Sequence, residues 1–222
     1  MKKLLALFLV LFPFYAHAGS QQTSATTGTV FIADVRLDYN DTTTAYFTDA
    51  EMLEFLNDGM VDIANKSHCL EASQSVTLVA NTIEYSISTN YVEVVAVVYN
   101  PASGASKGLI KGTIKDVGMV QGAGFGDTGV PAFWYEFNGK IGIYPALGSV
   151  TTQTATVYLA ARPTAIAAGT NVTIPASYEN ALKLYMMARM AMKDKNHELY
   201  SALMAQYSAE LNAYRQDLTE QK

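Results

Sequence analysis

Gly129-Val130-Pro131-Ala132-Phe133-Trp134-Tyr135-Glu136-Phe137-Asn138-Gly139-Lys140-Ile141-Gly142-Ile143-Tyr144-Pro145 decides how the chain is read. Asn138 and Gly139 both tolerate the positive φ angles of a two-residue hairpin turn, and they stand between two short runs rich in aromatic and β-branched residues. Pro131 and Pro145 bound the pair from outside, where a missing N–H costs no ladder bond. The stretch is predicted as a hairpin, in the middle of a chain whose two ends read as helices.

Outward from the hairpin, residues 73–174 are β-branched and aromatic, punctuated by Gly, Asn and Pro, with little sign of a helical period. Strands are expected at 75–79, 83–87, 92–99, 111–117, 133–137, 140–144, 154–161 and 171–174. The run Val92-Glu93-Val94-Val95-Ala96-Val97-Val98 is nearly continuous rather than alternating, the pattern of a strand covered on both faces. Many short consecutive strands point to an antiparallel sandwich or a barrel-like region.

Helical periods flank this region. Thr48-Asp49-Ala50-Glu51 is a capping box, Phe47 is placed to staple onto Met52, and Met52, Leu56, Met60 and Ile63 share one face. After Pro175, residues Tyr178, Leu182, Tyr185, Met186 and Arg189 line one side of a helix, with Ala181, Ala188 and Ala191 admitting a neighbour. Lys193-Asp194-Lys195-Asn196 then breaks the pattern. A second run follows, in which Tyr200, Met204, Tyr207, Leu211, Tyr214 and Leu218 recur at alternating intervals of four and three.

The fold class expected is therefore α+β: a small helical bundle, with one N-terminal helix and two C-terminal helices, into which an antiparallel β-sandwich or barrel-like region is inserted. Residues 46–72 and 175–222 form the bundle and 73–174 the insertion. Residues 19–45 are expected to be a polar flexible segment and a short extended run. Residues 1–18 resemble a secretory leader: Lys2-Lys3, the apolar run from Leu4 to Tyr15, then Ala16-His17-Ala18. The run is short for a bilayer and is interrupted by Pro13, so no stable membrane anchor is expected.

Composition limits function. Half of the 222 residues are hydrophobic and 16% are charged, enough for a sizeable core, and the net charge of −5 disfavours a protein whose main task is gripping phosphates. Cys69, the single cysteine, cannot form an internal disulfide and reads as a small buried hydrophobe. His68 reads as a helix-end polar residue and His197 as a solvated or capping one. Gly122-Ala123-Gly124-Phe125-Gly126 lacks the Gly-Lys-Ser/Thr ending of a phosphate loop and reads as a loop tip that orders on assembly. Asp34, Asp38 and Asp41 lack the glycine and glutamate of a calcium loop and read as a solvated acidic face. No catalytic, cofactor-binding or metal-binding residue is assigned, and no cofactor is expected. The candidate interface residues are Gly122, Gly124, Phe125 and Gly126 in the loop, and Tyr200, Tyr207, Tyr214 and Arg215 on the last helix. Tyrosines give rigid amphipathic contact area, which serves packing within the bundle or contact with another subunit.

The order of these parts resembles the head–tail adaptor (connector) proteins of tailed bacteriophages. Phe47-Thr48-Asp49-Ala50-Glu51-Met52-Leu53-Glu54-Phe55-Leu56-Asn57-Asp58 is similar to their opening helix, and Gly129 to Tyr135 with Ile141 to Pro145 resembles their central hairpin. Val157-Tyr158-Leu159-Ala160-Ala161-Arg162-Pro163 looks like the next strand, and Ile174-Pro175 before Tyr178-Glu179-Asn180-Ala181-Leu182 resembles the entry to the C-terminal helices. The likeness runs from about Tyr46 to Leu218. It implies a non-enzymatic virion protein at the head–tail junction, forming a ring, commonly a dodecamer, beneath the portal protein. Tail or nozzle proteins would meet its other face, and DNA would pass through the channel without sequence-specific binding.

The leader-like residues motivate an alternative, a secreted or periplasmic β-sandwich binding module with Trp134 and Tyr135 as its ligand platform. A hydrolase would have only His68, Cys69 and scattered carboxylates to work with.

Overall fold

The turn forms as its residues require. Asn138 has φ 50° and Gly139 φ 69°, and Phe137 pairs with Lys140 across them. In the computed structural model, residues 23–41, 46–115, 126–149 and 152–220 are described, with side chains up to residue 214. The two hairpin strands are Phe133–Phe137 (β6) and Lys140–Tyr144 (β7).

The remaining strands are Glu71–Leu78 (β1), Glu84–Ser86 (β2), Tyr91–Asn100 (β3), Lys107–Gly108 (β4), Ile110–Lys111 (β5) and Gln153–Ala161 (β8). They make two four-stranded sheets, ordered β1-β8-β3-β4 and β2-β7-β6-β5. Neither sheet closes into a barrel among the described residues. One apolar cluster joins them, with Val76, Val94, Val97, Val157 and Leu159 from the first sheet and Tyr85, Trp134, Ile141 and Ile143 from the second.

Several expectations for the β-region change. All pairs are antiparallel except β5 with β6, which is parallel, because the chain crosses from one sheet to the other between Gly108 and Ile110. Leu109 spans that crossing: its N–H donates to Val97 O, and the next N–H, of Ile110, donates to Ala132 O in the second sheet. The strand expected at 111–117 therefore ends at Lys111, and residues 116 and 117 lie outside the described set. Residues 171–174 form no strand; Asn171 and Pro175 make isolated bridges to Thr27 and Thr23. The valine run of β3 is not fully covered on both faces: Val94 and Val97 are buried, Val92, Ala96 and Val98 are half-buried, and Val95 is 61% exposed. Register shifts before Glu93 and before Ala96 change the phase of alternation, so a continuous apolar run can still supply a single inner face.

The helical part holds four α-helices among the described residues: Gly28–Asp38 (α1), Asp49–Ser67 (α2), Glu179–Lys193 (α3) and His197–Glu220 (α4). α2 begins as expected. Thr48 Oγ1 accepts from Glu51 N at 3.3 Å, Glu51 Oε2 accepts from Thr48 N at 3.4 Å, and Met52, Leu56, Met60 and Ile63 are all fully buried. α1 is a correction, since an extended run was expected there. Thr27 caps it by accepting from Val30 N, and Phe31, Ile32 and Val35 turn inward at helical spacing. All four helices contribute to a second apolar cluster, through Phe31, Met60, Leu182 and Tyr207 among others. Gly59 brings α2 and α3 close, and a Cβ there would meet Leu182 Cδ1 and Tyr185 Cδ1.

Candidate interaction surfaces

The strand registers gather one set of loops. Leu78 pairs with Gln153, Asn100 with Thr154 and Phe133 with Tyr144, so the connections 79–83, 101–106, 126–132 and 145–149 lie at one end of the β-region. Hydrogen bonds tie three of them together: Asn81 N donates to Leu147 O at 2.8 Å and Gly129 N to Ala146 O at 2.7 Å. In these four connections the one charged side chain is Asp127, and it accepts from the Tyr144 hydroxyl at 3.0 Å. Val79 and Val130 are exposed there. A charge-poor surface with exposed aliphatic side chains suits the desolvated centre of a protein contact, and it offers little to nucleic-acid phosphates. Gly126 belongs to this end and is exposed, whereas Gly122, Gly124 and Phe125 lie outside the described residues.

The α3–α4 turn lies beside the start of α2, the end away from the one that leads into β1, and has a different chemistry. Lys193, Asp194, Lys195 and Glu198 cluster there beside Leu37, Tyr46, Met192 and Leu199, which are all exposed. Lys193 organises this end. Its Nζ donates to Tyr46 O at 2.6 Å, pairs with Glu51 Oε2 at 2.7 Å and stands 4.6 Å from the centre of the Tyr46 ring, joining α3 to the cap of α2. The Lys193 ammonium, with the two Thr48 hydrogen bonds, lowers the Glu51 carboxyl from its ordinary pKa.

Sequence reasoning missed the buried cation beneath this end. Arg36 pairs with Asp41 at 2.6 Å and Asp49 at 2.8 Å, and also donates to Phe47 O. It thereby fixes α1 against the start of α2. Asp34 and Asp38 each lie 3.6 Å from Lys183 on α3. The three aspartates are thus ion-paired rather than merely solvated.

The tyrosines of α4 divide. Tyr207 is fully buried, donates to Asp62 and lies edge-on to Tyr185, with Lys66 Nζ 5.0 Å from its ring centre. Burial first and the Asp62 carboxylate second push its phenol well above the ordinary range. Its ring is interior to the single chain and has no surface to give a neighbour. Tyr214 packs 5.0 Å from Tyr178, and Tyr200 is half-buried beside Ala188 and Leu203. The Arg215 side chain lies outside the described set.

Other candidates find structural places. His68 is the left-handed C-cap of α2, with Nδ1 3.6 Å from Glu93 Oε2. Cys69 beside it is buried, which raises its thiol pKa. His197 opens α4 and is exposed, while Asn196 Oδ1 accepts from Leu199 N at 3.1 Å in a capping role. Trp134 and Tyr135 are 1% and 2% exposed, so they cannot form the ligand platform of a secreted binding module. No helix of the described residues is long and apolar enough to cross a membrane.

A family model described as SU10 adaptor protein matches residues 26–222. No curated protein sequence matches the chain.

Proposed function

The chain belongs to the SU10 adaptor protein family, a family of phage head–tail adaptors, and on that premise we propose that it forms a ring beneath the portal protein and joins it to the tail. The reading rests on the extent of the match, residues 26–222, which takes in α1 to α4 and both sheets of the described residues. In this reading the ring is a homo-oligomer, commonly of twelve subunits, and extends the DNA channel at the head–tail junction. The bundle, residues 46–72 and 175–222 together with α1, faces the portal. The two sheets of residues 73–174 act as the layers of an inserted sandwich, whose charge-poor loops face tail or nozzle proteins. The contrast between the two ends supports this orientation, since a connector must present different surfaces to different partners.

Gly122, Gly124, Phe125 and Gly126 would then belong to the tail-facing loops, and Tyr200, Tyr214 and Arg215 to contacts between copies. DNA passes without sequence-specific binding, consistent with the net charge of −5. The test is the mass of the purified chain alone and after mixing with portal protein. A complex of many copies on one portal ring is expected. A chain that stays monomeric and binds neither portal nor any tail component would overturn the proposal.

A further inference from the structure

The two sheets of the described residues have four edge strands, and three of them are short. β4 has two residues, β5 two and β2 three, and the part of β3 that β4 leaves uncovered carries two register shifts. Brevity and bulges are the usual ways of keeping a foreign strand off a sheet edge. β1 uses neither. It is eight residues long, pairs with β8 in unbroken register from Glu71 to Leu78, and contains no Lys, Arg or Pro.

The phase of the ladder determines which backbone groups are open. Ala161 N donates to Leu70 O at 2.7 Å, so alternate residues from Leu70 onward face β8, and Glu71, Ser73, Ser75 and Thr77 turn both N–H and C=O the other way. All four residues are exposed, and among the described residues none of these outward groups has a hydrogen-bond partner. Val79, next in the same phase, differs. The Tyr85 hydroxyl accepts from its N–H at 3.1 Å and closes the edge at that point.

A row of outward N–H and C=O groups at strand spacing is complementary to another extended backbone. About eight residues, roughly 26 Å of strand, would cover it. β1 runs directly into the connection 79–83, one of the four at the charge-poor end, so a strand laid along β1 is continuous with the surface assigned above to the tail. Among the described strands a second copy has only its own β1 free over this length, and that pairing is two-fold, a contact that neighbours in a ring do not make.

We propose that β1 accepts an extended segment of a tail protein as an added antiparallel strand at the open edge of the first sheet. The inference rests on the adaptor reading for the identity of its partner. The segment that fits has no Pro at the paired positions, is aliphatic beside Val76 and Leu78 of the inter-sheet cluster, and is basic where it meets Glu71, the one charge on β1.

Hydrogen exchange followed by mass spectrometry tests this on the full chain alone, in complex with portal protein, and with portal protein and tails purified from the phage. The amides of Ser73, Ser75 and Thr77 should exchange freely in the first two states and about ten-fold or more slower in the third. This measurement needs no variant. Ser75→Pro removes an outward N–H and no bond to β8, so the thermal midpoint and portal binding should be kept while tail binding falls about ten-fold or more. Ser75→Thr keeps the N–H and should bind tails normally. Amides already slow in the free chain, protection that appears with portal alone, or amides still free in a chain bound to both portal and tails would overturn the inference and leave the adaptor reading standing. So would tail binding indifferent to Ser75→Pro. A chain that binds neither portal nor tails would overturn both.

Discussion

Gly142 shows how much a single position can decide. It stands opposite Tyr135 across the β6–β7 ladder, and a Cβ there would fall inside the Tyr135 ring. The ring lies over the glycine because nothing else occupies that space, and this holds a 2% exposed tyrosine on the sheet. Gly142→Ala should destabilise the protein by about 1–3 kcal/mol through overpacking, seen as a lower thermal midpoint. An unchanged midpoint would mean that the Tyr135 ring moves without cost. The turn residues make a second case. Asn138→Val or Gly139→Val puts a β-branched side chain at positive φ and should cost about 1 kcal/mol or more. Both turn residues could be recognised from the sequence, since Asn-Gly between β-rich runs has few other uses. The Gly142–Tyr135 contact could not, because a glycine in a strand does not name the side chain that covers it.

At the scale of elements, local signals carried furthest where they were redundant. Thr48, Glu51 and the four-four-three spacing from Met52 to Ile63 all specify the same helix, and α2 begins at Asp49 as they require. Thr48→Ala should cost about 1 kcal/mol, measured by denaturant unfolding, because the Glu51 N–H loses its acceptor. α1 lacked such redundancy. Its inward face is only Phe31, Ile32 and Val35, and the Arg36 beside them reads as surface until its partners, five and thirteen residues away, are known. Arg36→Met should therefore cost about 3 kcal/mol, since Asp41, whose side chain is 13% exposed, would be left without that partner. Loss of far less than this would show that water replaces the guanidinium. The parallel β5–β6 pair was hidden for a related reason: two residues per strand carry no period, and only the tertiary crossing at Leu109 sets their direction. The candidate loop 122–126 was visible as a glycine-rich excursion, but its placement with three other loops follows from strand registers that no local pattern contains.

For the whole molecule, the tyrosines tie stability to alkaline pH. Burial, and next the neighbouring Glu136 carboxylate, push the Tyr91 phenol up to about 12, and Tyr39 and Tyr207 are raised in the same direction by burial and by Asp194 and Asp62 respectively. Phenols of the unfolded chain lose their protons near pH 10, so above that value the folded state holds more protons. The contribution of Tyr91 is full below about pH 10 and is lost as pH rises through about 12, and those of Tyr39 and Tyr207, raised further, are lost only at higher pH still. Spectrophotometric titration should show part of the fourteen tyrosines ionising only as the fold is lost, with thermal stability falling from about pH 10 upward. Complete ionisation in a still-folded chain would contradict this. The same molecule has one end poor in charge, built from β-loops, and another rich in charge, built around Lys193, and a connector puts such a difference to use. Electron cryomicroscopy of the portal protein mixed with an excess of the chain tests the adaptor assignment most directly. The expected image is a ring of the chain beneath the portal, bundles toward the portal and sheets away from it, around a continuous channel. A portal whose lower face stays bare at saturating chain would contradict it.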